Sequence, residues 1–316
     1  MISIGLDVGG TKVLGVAVDP HEPAVVLAEH RVPTPDGGAG LVDVLGEVVA
    51  ALVGAGPPPI AVGVGVPGLV DRSGRLHMGP HLRRVQDLPL ASLVAERCGC
   101  PAVVDNDANC HAVAEHGGGA AMGADEALVV THGTGIGAGI ITGGALLHGA
   151  NGFAGEPGHM VVDPDGPPCP CGKRGCWERF ASGTGLERLA RDAASGGRLD
   201  AVVALAGGDP QAVRGEHVTA SARLGDAEAL AVMGDFAGWI ALGLANLVNI
   251  LDPSVVVIGG GLVEAADLYL DEVRERFARL VMAGGQRPEL PIVTAALGGR
   301  AGAIGAAALA AEVAGP

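Results

Sequence analysis

Three cysteines, Cys169, Cys171 and Cys176, follow one another in the spacing C-x-C-x4-C, and His159 stands ten residues before the first. Thiolate sulfur and imidazole nitrogen are donors that zinc prefers. A Cys3His set completes its tetrahedron with no open position, so a zinc held here is structural. Gly172 and Gly175 let the chain bend between the ligands. The plainer alternative is three unrelated free thiols in a glycine-rich loop. Glu156 and Glu178 flank the segment; neither is needed as a ligand, and both suit hydrogen bonds from hydroxyl groups. His159 can serve two partners, zinc through one ring nitrogen and a hydroxyl through the other.

A second group is Asp105-Asn106-Asp107, after a strand-like run and before a helical one. A carboxylate there suits a general base for a substrate hydroxyl, with Asn106 orienting the substrate. Equally, Asp105 or Asp107 could do no more than cap the helix. Two glycine-rich turns follow a similar logic. Asp7-Val8-Gly9-Gly10-Thr11-Lys12 offers backbone N–H groups and the Thr11 hydroxyl to an anion, with Asp7 placed to hold a water of bound Mg2+. Thr131-His132-Gly133-Thr134-Gly135-Ile136-Gly137-Ala138-Gly139 repeats the pattern. Each alone reads as a hairpin turn, whereas two facing across a cleft would clamp a polyphosphate. The first is neither a Walker A loop, lacking Gly-Lys-Ser/Thr, nor a dinucleotide fingerprint, lacking the following helix. Gly259-Gly260-Gly261 leaves room for a flat adenine or is a plain strand-to-helix turn.

These residues need elements to hold them. Residues 2–8 read as a strand, Val13 to Val18 as its hairpin partner and Val25 to Val32 as a third strand. Leu41 to Leu52 has helical apolar spacing and is stopped by Pro57-Pro58-Pro59. A strand over Ile60 to Val66, a helix over Leu88 to Cys98, a strand over Ala102 to Val104 and a helix over Ala108 to His116 follow. After Gly117-Gly118-Gly119, a second hairpin, Ala127 to Thr131 with Ile136 to Thr142, opens the latter half as the first opened the former. Residues 186–250 read as mostly helical, ending in a long apolar stretch over Asp226 to Ile250. Val255 to Ile258 is a strand and Ala301 to Val313 an Ala-rich helix. Strands alternating with helices predict an α/β fold with a mixed sheet, and the doubled hairpin hints at two related lobes.

The chain has 316 residues, 48% of them hydrophobic, enough for about two compact domains. With 2% aromatics, the core falls to Ala, Val, Leu and Ile. A net charge of −15, with Lys12 and Lys173 the only lysines and the arginines scattered, argues against a nucleic-acid surface. No basic and apolar leader opens the chain, and no apolar run reaches the ~18–20 residues of a membrane span. A cytoplasmic protein is predicted, off the membrane, whose clustered cysteines bind metal rather than pair.

Taken in order, the motifs resemble the ROK family (repressors, uncharacterised reading frames and sugar kinases) of the actin/hexokinase-like superfamily. Asp7–Lys12 looks like its first phosphate loop, Gly65-Val66-Pro67-Gly68 like a sugar-side turn and Asn106-Asp107 like its substrate/base pair. His132–Gly139 looks like the second phosphate loop, Glu156-x-x-His159 with the cysteines like the sugar and zinc signature, and Gly259–Gly261 falls in the adenosine region. The resemblance implies a two-lobed actin/hexokinase-like (ribonuclease H-like) ATPase fold with mixed sheets. A small α/β domain over 1–117 would be completed by a C-terminal helix over 300–316, and a large α/β domain over 118–299 would carry the zinc loop. The implied activity is ATP:hexose phosphotransfer, to the 6-hydroxyl of glucose, with Asp107 as general base. Gly68, His81, Asn106, Asp107, Glu156, His159 and Glu178 would meet the sugar. Asp7, Gly9, Gly10, Thr11, Lys12, Gly133, Thr134, Gly135, Gly259 and Gly260 would surround ATP with Mg2+. His159, Cys169, Cys171 and Cys176 would hold one structural zinc. Closure of the lobes would exclude water, and a homodimer or homotetramer is the implied assembly.

The match departs from glucokinase-like relatives in two places. In Gly79 to Leu88, His81 replaces the expected sugar-binding Asn and no Trp follows; His132 stands where an apolar residue is usual. The altered loop leaves open glucosamine, kanosamine, N-acetylglucosamine or N-acetylmannosamine as substrate. A repressor of the same family would carry a helix-turn-helix domain before the first loop, which here begins at Asp7. A non-catalytic sugar-binding regulator would not need Asp107 and both loops. Polyphosphate-using relatives generally lack the cysteine cluster, which favours ATP.

Overall fold

A computed structural model describes residues 1–35, 37–79 and 85–314, with the backbone alone for Ala39. His81 lies outside the described residues. The first glycine turn joins β1 (Ser3–Val8) to β2 (Lys12–Asp19) antiparallel, and β3 (Glu22–Pro33) extends the sheet beside β2. Helix α1 (Gly38–Val53) leads to β4 (Val62–Val66), parallel to β1. Three short strands, β5 (Leu69–Val70), β6 (Leu76–Met78) and β7 (Gln86–Leu88), then form a small antiparallel sheet of their own. After α2 (Leu90–Cys98), β8 (Ala102–Asn106) pairs parallel with β4 and runs into α3 (Asp107–Gly118). The sheet order is β3-β2-β1-β4-β8.

The second half builds the same order again. β9 (Ala127–His132), β10 (Ile136–Thr142) and β11 (Ala145–Leu146) are antiparallel. Five helices follow: α4 (Glu178–Ala181), α5 (Gly183–Ser195), α6 (Asp200–Leu205), α7 (Gly215–Arg223) and α8 (Ala227–Leu251). Then come β12 (Val255–Gly259), α9 (Leu270–Leu280), β13 (Ile292–Thr294) and α10 (Ala301–Ala314). With β12 parallel to β9 and β13, the order β11-β10-β9-β12-β13 copies the first sheet.

Strand alternation explains the layers. Ile4, Leu6 and Val8 face Leu41, Leu45 and Val48 of α1 on one side of the first sheet. On the other side Leu14, Val16 and Val18 meet Ala303, Ile304 and Ala307 of α10. A Cβ at Gly5 or Gly63 would strike backbone carbonyls of α10, so that helix lies almost on the sheet backbone. α10 is also wedged against α3, whose Ala112 packs on Val129, Ile141 and Val257 of the second sheet. The residues at the start of α3 are therefore held between both halves.

Contrary to the sequence expectation, one helix among those described, α8, is long and apolar enough to cross a membrane by length and composition, with mean hydropathy 1.5. In the fold, 61% of its apolar window is buried, and it packs with Leu128, Val130 and Trp177 as a core helix. A Cβ at Gly243 of α8 would fall inside the Trp177 ring. Gly to Ala in a helix ordinarily stabilises by about 1 kcal/mol, but overpacking here should reverse the sign. Gly243→Ala is expected to lower stability by about 1–3 kcal/mol in urea denaturation; a neutral or stabilised variant would contradict this packing.

Candidate active site

β8 delivers its last residue, Asn106, as the N-cap of α3. Its side-chain oxygen accepts the N–H groups of Ala108 at 2.8 Å and Asn109 at 3.3 Å, and its amide donates to the Gly68 carbonyl at 3.1 Å. The capping role, which the sequence allowed to Asp105 or Asp107, thus belongs to Asn106, the residue whose oxygen reaches the second and third helical N–H groups. Asp107 opens the helix and accepts the Ala108 N–H on Oδ1 at 3.0 Å. Asp105 is buried: Oδ1 accepts Asn106 N–H at 2.7 Å and Asn109 Nδ2 at 2.8 Å, and Oδ2 meets His148 Nε2 at 2.7 Å. Sequence reasoning missed His148, because nothing local marks it as a partner of a residue 43 positions away.

Glu156 precedes a 3-10 turn, Pro157–His159, and Glu178 opens α4. Burial pushes the Glu156 carboxyl up to about 7, and the charges of Asp107 and Glu178 push it the same way. These three acids therefore stand close enough to feel one another's charge. The second glycine turn borders it, since a Cβ on Gly135 would stand 2.9 Å from Glu178 Oε2. At the other side, burial holds Asp7 up at about 6; Asp107 adds to this, while His111 and Lys12 oppose it. A row of carboxylates thus runs from Asp7 through Asp107 and Glu156 to Glu178. A buried acid with a second acid beside it suits a divalent cation.

The first glycine turn is closed by Gly9 N–H donating to Lys12 O at 2.9 Å, leaving Gly10, Thr11 and Lys12 exposed. Thr34, just past β3, braces it from behind: its N–H donates to Thr11 O at 3.1 Å and its hydroxyl to Gly9 O at 2.6 Å. The second turn is backed by the start of α5, where Gly183 N–H donates to Gly133 O at 2.8 Å and the Thr184 hydroxyl to Thr134 O at 2.9 Å. Gly260 lies against the backbone of His132, so the Gly259-Gly260-Gly261 stretch adjoins this turn. The His132 side chain points into the core instead, where Nδ1 donates to Ala181 O at 2.8 Å and the ring stands edge-on to Trp177. Burial pushes its pKa down to about 4. A neutral imidazole there occupies an apolar position, which accounts for the departure at His132.

The donor atoms of His159, Cys169, Cys171 and Cys176 all lie within 4.8 Å of one another. Cys171 and Cys176 Sγ are 3.5 Å apart and Cys169 Sγ is 3.8 Å from His159 Nδ1. Zinc with bonds of about 2.3 Å to sulfur and 2.0 Å to nitrogen fits such a set. Cys169 N–H donates to Lys173 O at 2.8 Å, tightening the turn between ligands. Between the last ligand and Glu178 sits Trp177, fully buried, its indole N–H donating to Trp239 O at 2.7 Å. The loop and Glu178 are in this way pinned to α8. Glu178 Oε1 lies 3.1 Å from Cys169 Sγ and 3.6 Å from His159 Nδ1.

The model of the ROK family matches residues 3–313. The chain belongs to the ROK family. This ROK chain is 39% identical to the glucokinase of Streptomyces coelicolor, over 98% of each chain. Its fold matches a ROK family glucokinase from Streptomyces griseus, solved in complex with glucose and AMPPNP, at TM-score 0.87 and 38% identity over 99% of this chain and 100% of that one. A ROK hexokinase from Thermus thermophilus matches at TM-score 0.81 and 35% identity, over 98% of each chain. The ROK fold agrees with the actin/hexokinase-like expectation.

Proposed function

We propose that the chain is an ATP-dependent hexose kinase that phosphorylates glucose on its 6-hydroxyl. The row of carboxylates from the first glycine turn to the cysteine loop carries this reading. Its full-length relation to glucokinases supports it. Asn106, Glu156, His159 and Glu178, with the backbone at Gly68, hold the sugar. Asp107 takes the hydroxyl proton while the oxygen bonds to the γ-phosphorus and the bond to ADP breaks. The products are sugar 6-phosphate and ADP, and the proton passes from Asp107 to solvent. Gly9, Gly10, Thr11, Lys12, Gly133, Thr134 and Gly135 cradle the phosphates, while Gly259 and Gly260 border the adenosine. Positioning and charge neutralisation are the main demands of phosphoryl transfer. Asp7 would hold Mg2+, which would supply charge neutralisation, and His159, Cys169, Cys171 and Cys176 would hold one zinc, which would supply rigidity.

In this reading residues 1–117 with 300–316 form the small domain and 118–299 the large one; α10 packing on the first sheet supports the division. The enzyme works in the cytoplasm, where ATP is available, as a homodimer or homotetramer. His81 favours a second reading, in which an amino or N-acetylated hexose is preferred. ADP release with Mg-ATP should be measured across glucose, glucosamine, kanosamine, N-acetylglucosamine and N-acetylmannosamine. Glucose is expected to give the highest kcat/KM. An amino sugar ahead by about tenfold, a difference of about 1.4 kcal/mol, selects the second reading. If no sugar stimulates ADP release, the kinase reading fails.

A further inference from the structure

The Asp105–His148 pair has no part in the chemistry just described, yet it sits where two elements of the site meet. His148 follows β11 on the loop that ends in Glu156. At the near end of this loop, His148 Nε2 pairs with Asp105 Oδ2 at 2.7 Å, and the Gly149 carbonyl accepts Arg72 Nε at 3.0 Å. Within it, the His148 carbonyl accepts Ala154 N–H at 3.2 Å. At the far end, Gly155 lies against Asn109, whose Oδ1 would be 3.5 Å from a Cβ there. The Asn109 amide in turn donates to Asp105 Oδ1. One buried carboxylate thus bonds the near end of the Glu156 loop directly and holds the Asn109 side chain that packs beside its far end, and it also accepts Asn106 N–H, next to Asp107.

We propose that His148, paired as an imidazolium with Asp105, is a positioning residue that locks the Glu156 loop to the strand end bearing Asn106 and Asp107, and so sets sugar affinity. The inference rests on the kinase reading for the role of Glu156. A charge-assisted bond to a buried carboxylate is strong, and removing one partner leaves the other uncompensated. The hydrogen bond that His148 donates to Asp105 raises the His148 pKa, with Leu146 O assisting, while burial and Arg72 oppose. Cys110 of α3 also faces Asp105, and burial with that nearby charge pushes its thiol up. Because the folded pKa of His148 is raised, the paired form is complete at low pH and is lost as pH rises through it. The sugar KM should therefore climb on the alkaline side, and the ATP KM should not.

The test uses the full chain as wild type, His148→Ala and His148→Gln, with KM for glucose and ATP across pH and glucose binding by calorimetry. His148→Ala is expected to raise the glucose KM about tenfold or more, leave the ATP KM within about twofold, and flatten the alkaline rise. His148→Gln, which keeps an N–H donor, should recover most of the affinity without the alkaline rise. A folded His148→Ala protein with wild-type glucose KM, or with sugar and ATP affinity lost alike, overturns the proposal. So does a His148→Gln protein that keeps the wild-type alkaline rise. A wild type that binds and phosphorylates no hexose sinks the kinase reading and this inference together; an active wild type beside an unaffected His148→Ala sinks this one alone.

Discussion

Asp107→Asn should lower kcat about 10^3-fold while glucose still binds within a few-fold of wild type. The substitution keeps the shape and the oxygen that accepts Ala108 N–H, so the start of α3 should stay in place with Asn106 as its cap. What it removes is a group able to take the hydroxyl proton. A loss of three decades corresponds to about 4 kcal/mol of transition-state stabilisation. Single-turnover measurement of sugar phosphate would read the chemical step, and calorimetry would read binding. A kcat within about tenfold of wild type would remove Asp107 from the role of general base. Equal loss of glucose binding would instead make it a sugar ligand first.

The second large effect concerns the metal. Cys176→Ser should abolish stoichiometric zinc and lower kcat/KM for sugar by about 100-fold or more. The reason is geometric. Cys176 adjoins Trp177 and Glu178, and Glu178 lies close to both Cys169 and His159. Losing the ion frees the loop that aims His159 and Glu178, while the first glycine turn, braced by Thr34, is untouched. Cys98→Ser and Cys100→Ser, at the end of α2, serve as controls and should change neither reading. Elemental analysis of protein prepared without chelator checks the premise: below about half an equivalent of zinc in wild type, the Cys3His assignment fails.

The elements that the sequence displays openly are those whose signals are local. The two hairpins, each with glycines between apolar runs, are recovered as β1–β2 and β9–β10. The cysteine loop is readable because its ligands lie within eighteen residues, from His159 to Cys176. β5, β6 and β7 are two or three residues long, too short for alternation to show. α9 hides its stripe of Leu270, Val273 and Phe277 among charges, and β13 is again three residues. The cap at α3 was misplaced because Asp and Asn are equally good caps and only geometry separates neighbours. Asp105–His148 and Thr34–Gly9 join residues 43 and 25 positions apart, contacts that arise only when the chain folds back.

The wedge formed by α10 has a consequence for the order in which the molecule comes into being. A ribosome extends chains at about 5–20 residues per second, and domains tend to fold as they emerge. β1 and β2 are made first, yet the helix that covers one side of them begins at Ala301. The interval is roughly 15 to 60 s at those rates, during which the side of the first sheet carrying Leu14, Val16 and Val18 lacks Ala303, Ile304 and Ala307 and has Ala114 of α3 as its cover. The second sheet is complete once β13 ends at Thr294, before α10 exists. Synthesis therefore runs from first half to second, while completion of the fold runs the other way.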